Sequence, residues 1–110
     1  TMMGVTPAQA APALVEAGAD AVGANCGMGI EVMAEVAAAL AAATDAPLWC
    51  KPNAGAPQLV DGRTVYRQTP KQMAAGAAAL IEAGCRVIGG CCGTTPEHIR
   101  VFAEVLAKAR

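Results

Sequence analysis

The sequence predicts an α/β fold: the C-terminal part of a (βα)8 barrel, with three parallel strands and about four helices. Three observations carry this reading. Helical stripes alternate with short apolar runs along the whole chain. The stretch LVEAGADAVGANCG at 14–27 recurs without a gap as LIEAGCRVIGGCCG at 80–93. Each βα unit takes roughly 30 residues, the spacing of an eight-fold barrel of about 250 residues.

The elements follow in order. TMMG at 1–4 reads as the tail of a preceding strand. Thr6-Pro7 starts the first helix, with threonine as N-cap, proline at the first helical position, and Gln9 completing a capping box. Asp20–Ala24 is the first strand. A helix over about 29–43 buries Ile30, Met33, Ala37 and Leu40. Leu48–Cys50 is the second strand. The connection at 56–68, APQLVDGRTVYRQ, holds Asp61-Gly62 between two β-prone pieces, a type I′ hairpin signal. Thr69-Pro70, with Gln72, starts a helix whose stripe is Met73, Ala77, Leu80 and Ile81. Arg86–Gly89 is the third strand, with Cys85 just before it. Thr95-Pro96 starts the last helix, striped by Ile99, Phe102, Ala103 and Leu106. Strands this short and apolar suit burial on both faces.

Composition narrows the functional classes. The 110 residues are 55% hydrophobic with a formal net charge of −1, which argues against an electrostatic grip on nucleic acid. No apolar run is long enough for a membrane helix, and the N-terminus lacks the pattern of a signal peptide. Five cysteines, two of them adjacent, do not suit a secreted disulfide framework; a reducing cytoplasmic setting is expected. Residues 1–110 are expected to be an incomplete piece of one domain, because three strands leave two unpaired edges. The isolated chain is accordingly expected to be marginally stable or self-associating.

The repeat places Cys26 and Cys92 at the carboxyl ends of two parallel strands, on one edge of the sheet, with Cys91 beside Cys92. Cys50 and Cys85 fall on other levels. Successive strand residues point to opposite faces, so both adjacent cysteines reach one ion only where the strand ends and turns. Gly89, Gly90 and Gly93 permit that turn. Three thiolates suit Zn²⁺ with one position left open, and leave the site net negative. Such a site activates water poorly but favours a second thiol as thiolate, which fits alkyl transfer to a substrate thiol. Buried or redox-active cysteines without metal, and a vicinal disulfide, are the alternatives at this point.

Other residues carry two readings each. Asn53 follows the middle strand on the same edge and either contacts metal or substrate, or makes the Pro-Asn-Ala-Gly turn. Asn25 is expected to point away from the cluster and make a structural hydrogen bond. The hairpin is a lid, a donor-docking surface or ordinary surface. Lys51 either meets a substrate carboxylate or reaches solvent. His98, the single histidine, lies in the first turn of the last helix, where local contacts are the default over metal ligation. Met28 and Met33 read as packing residues.

GANCG (23–27), PNAG (52–55) and GGCCGTTPEH (89–98), in this order, resemble the three late-barrel motifs of the homocysteine S-methyltransferase family. The resemblance covers nearly the whole chain, and the wording GANCG, PNAGAP and DGRTVY is most similar to the cobalamin-dependent methionine synthase branch. It implies that Cys26, Cys91 and Cys92 hold catalytic zinc and that homocysteine supplies a fourth, thiolate ligand on its way to methionine. It also implies a methyl donor such as methylcobalamin from another domain or protein, and partner cobalamin or folate modules. The family's carboxylates that hold the homocysteine amino group come from earlier strands, outside this chain. Two competing readings stand beside it. One is a barrel enzyme of another class that binds phosphate with Gly89-Gly90 and the helix starting at Pro96. The other is a non-catalytic fragment whose thiols bind metal or oxidise.

Overall fold

Threonine–proline pairs start three of the four helices, and two of the three show full reciprocal capping. In the computed structural model, which describes residues 1–109, the Thr6 hydroxyl accepts from Gln9 N–H at 3.2 Å while Thr6 N–H donates to Gln9 Oε1 at 3.0 Å. Thr69 and Gln72 repeat the exchange at 3.2 and 2.8 Å. The element order is α1 (Pro7–Glu16), β1 (Val22–Cys26), α2 (Ile30–Ala43), β2 (Leu48–Pro52), β3 (Gln58–Val60), β4 (Arg63–Val65), α3 (Pro70–Glu82), β5 (Cys85–Ile88) and α4 (Pro96–Lys108). The hairpin β3–β4 turns at Asp61 (φ 49°) and Gly62 (φ 76°), the two positive angles a type I′ turn needs.

Strands β1, β2 and β5 form one parallel sheet in that order, the arrangement of a segment of a (βα)8 barrel. Val22 pairs with Leu48 and Cys26 with Pro52, which brings the carboxyl ends of β1 and β2 level. Between β2 and β5 the register slips once: Leu48 faces Cys85, but Trp49 faces Val87. Helices α1 to α4 pack side by side in a row, each against the next. The core lies between this row and the sheet, where Ile30, Leu48, Met73, Leu80 and Phe102 are almost wholly buried.

Four features differ from the sequence reading. The sheet is covered on one face only. Leu48, Cys50 and Pro52 of β2 turn inward, whereas Trp49 (50% exposed) and Lys51 lie bare beside Gly23, Asn25 and Val87. Three strands do not close, so the face that a barrel turns to its interior stays open. Cys85 opens β5 rather than preceding it, and it is buried. The buried side of α4 is rotated: His98 and Phe102 face inward while Ile99 is 44% exposed and Ala103 is exposed too. A hydrogen bond from His98 to the Gln68 carbonyl sets that rotation. Met33 packs in the core as expected, but Met28 is 61% exposed.

Candidate metal centre

The carboxyl edge of the sheet is built by backbone that keeps pairing beyond the formal strand ends. Gly89 N–H donates to the Cys50 carbonyl at 2.9 Å and Cys91 N–H to the Pro52 carbonyl at 3.0 Å, so β2 guides the chain up to the adjacent cysteines. Ala54 N–H then donates to the Cys92 carbonyl at 3.0 Å. On β1, Cys26 adopts φ 63° and Gly27 φ 82°, which swings the chain out of the strand at the cysteine itself. A left-handed non-glycine residue is uncommon and costs energy, so the surrounding contacts must hold Cys26 in this conformation.

Asn53 ties the two cysteine loops together. Its Nδ2 donates to the Gly27 carbonyl at 2.8 Å and its Oδ1 accepts from Cys92 N–H at 3.0 Å. The residue is 4% exposed, and both ends of its amide hold backbone. Thr94 Oγ1 donates to the Cys91 carbonyl at 2.7 Å, closing the turn after the pair.

This scaffold brings Cys26, Cys91 and Cys92 together. Their sulfurs stand 3.0 Å (Cys26–Cys91), 3.9 Å (Cys26–Cys92) and 4.0 Å (Cys91–Cys92) apart. Among the described residues this is the one group of three or more such side chains close enough to share an ion. Sulfurs about 2.3 Å from a tetrahedral zinc stand about 3.8 Å apart. Two of the three separations match that spacing, and the donor set is soft, so the residues fit the ion. The shared hydrogen bonds separate the thiols electrically. The Cys26 thiol, donating to Cys91 and then to Cys92, is raised to about 11. The same bond from Cys26 lowers Cys91 to about 7, despite some desolvation. Cys91 therefore yields its proton before Cys26.

The remaining candidates sort by distance from this edge. His98 is engaged on both nitrogens: Nδ1 accepts from Thr95 N–H at 3.1 Å, so Nε2 carries the proton and donates to the Gln68 carbonyl at 2.8 Å. Lys51 lies on the bare face with its Nζ 5.6 Å from the Trp49 ring centroid. The hairpin is exposed, but its exit reaches the site, where the Tyr66 ring lies against Gly93. Asn25, expected to point away, instead reaches the cluster: its Nδ2 donates to Cys91 Sγ across 3.8 Å. The loop at Gly89-Gly90 spends the Gly89 N–H on the sheet and lies against Thr94, and the His98 ring takes the Thr95 N–H at the start of α4. A cavity of about 330 Å³ opens on the free side of β1, walled by Cys26, Met28, Val32 and Met33 with residues of the N-terminal turn. The Asn25 and Tyr66 contacts were absent from the sequence reading because both depend on packing between distant segments.

With this geometry in hand, comparison with known proteins is specific. The family model described as homocysteine S-methyltransferase matches residues 1–106. The chain belongs to that family. Methionine synthase of Mycobacterium leprae is 39% identical over 92 residues, covering 83% of this chain and 8% of the relative. Methionine synthase of Mycobacterium tuberculosis is 38% identical over 94 residues, covering 84% of this chain and 8% of the relative. The chain thus spans less than a tenth of the length of these curated relatives. No helix among the described residues is long and apolar enough to cross a membrane.

Proposed function

We propose that the chain supplies the zinc-binding edge of a homocysteine S-methyltransferase, with Cys26, Cys91 and Cys92 as the ligands and the thiol of homocysteine as the methyl acceptor. The observation that carries the reading is the convergence of three sulfurs, from two strands 66 residues apart, within 4.8 Å of one another. Family membership and the methionine synthase relatives support the substrate. When bound, zinc would lower the pKa of the substrate thiol and leave its sulfur electron-rich.

The chain's own residues prepare this. Cys91 gives up its proton near neutrality because Cys26 donates to it. Asn53 fixes the separation of the two loops, and the turn at Cys26 lifts its sulfur off the sheet. In the overall reaction the homocysteine sulfur loses its proton to solvent and takes a methyl group from the donor, which keeps the electron pair of the broken bond, giving the thioether of methionine. Methylcobalamin, delivered by another domain or protein, is the donor this reading assigns, with a folate module as a further partner. Five free cysteines support a reducing, cytoplasmic setting.

The test is homocysteine added to the Co²⁺-loaded chain, with homoserine as the control. A stronger sulfur-to-cobalt charge-transfer band with homocysteine alone is expected. A spectrum that homocysteine leaves unchanged overturns the reading.

A further inference from the structure

Two polar side chains beyond the cysteines converge on the cluster from different elements. Asn25, at the exposed end of β1, sends its amide to Cys91 Sγ at 3.8 Å, and this is its one side-chain hydrogen bond among the described residues. Tyr66 arrives from the hairpin exit. Its ring covers Gly93 so closely that a Cβ there would overlap it, which seats the ring at the residue next to Cys92.

We propose that Asn25 and Tyr66 are positioning residues of the metal centre, donating hydrogen bonds to the thiolates of Cys91 and Cys92 respectively. The proposal rests on the metal reading above. Three cysteine thiolates and a substrate thiolate carry more negative charge than one dication neutralises, and donors from outside the ligand set offset the excess. They also discriminate among sulfurs. A thiolate that accepts a hydrogen bond is a weaker nucleophile, so alkylation falls on the sulfur that lacks one. Cys92 is the exposed member of the trio and needs this protection most. Tyr66 links that protection to the hairpin: a shift of β3–β4 moves the donor with it.

The experiment compares the wild-type chain with Tyr66→Phe and Asn25→Ala, using Co²⁺ alone as spectroscopic probe and zinc competition for affinity. Phenylalanine keeps the ring over Gly93 and removes only the hydroxyl. The expected result is a displaced charge-transfer band and zinc affinity about 10- to 100-fold weaker in each variant, with the melting temperature of the metal-free chain unchanged. Identical bands and affinities overturn the proposal. So does a loss of affinity that tracks a loss of metal-free stability, since a purely structural role produces that. A wild type without any thiolate–cobalt band sinks the metal reading itself and the proposal with it.

Discussion

Cys26 and Cys50 sit on neighbouring strands two residues apart in level: Ala24 pairs with Cys50, and Cys26 pairs with Pro52. That step separates two chemistries. Cys50 is fully buried under the helices beside Cys85, and its thiol is pushed well above the ordinary range by the bond to Cys85 and by burial. Cys26 stands where the strand ends, its backbone is left-handed, and its neighbours are thiols from β5's extension rather than core methyls. Level along a parallel strand, more than residue type, decides whether a cysteine packs in the core or stands in the cluster at the sheet edge.

The comparison can be pressed from both sides. The largest effect is expected from pH. Metal binds thiolates, so protons on Cys26 (about 11) and Cys91 (about 7) must leave. Lowering the pH through about 7 returns the Cys91 proton and weakens binding. Each displaced proton contributes about tenfold per pH unit, so Co²⁺ affinity is expected to fall about a hundredfold or more from about pH 8 to about pH 6. A flat profile would mean the thiols are not the ligands.

Cys50→Ser tests the buried side. It places a hydroxyl in the apolar layer and is expected to cost about 1–3 kcal/mol of stability by denaturant titration, with metal stoichiometry unchanged. Loss of metal at full stability would contradict the division. A smaller effect is expected at Gly76, where an added Cβ would run into the buried Ile30 side chain. Gly76→Ala is expected to lose about 1–2 kcal/mol, because overpacking outweighs the gain in helix propensity. A stabilised variant would show that α2 and α3 part easily.

Much of this was legible in the sequence because the signals were local or repeated. Capping at Thr6 and Thr69, the turn at Asp61-Gly62 and the buried positions of α2 are decided within a few residues. The cysteine trio was legible because the repeat fixed Cys26 and Cys92 at equivalent strand ends. The open sheet face was not, because short apolar strands imply two covering layers and only one is present. The buried side of α4 turned on the Gln68 carbonyl, 30 residues away from His98. The reach of Asn25 to Cys91 and the seat of Tyr66 on Gly93 likewise join segments that no local pattern relates.

The most direct measurement is zinc per chain on protein purified under reducing conditions, for the wild type beside Cys26→Ser and Cys92→Ser. About one zinc per wild-type chain, lost in both variants, is the predicted result, since it requires one site spanning β1 and the end of β5. A folded wild type without zinc, or zinc retained in either variant, would contradict it.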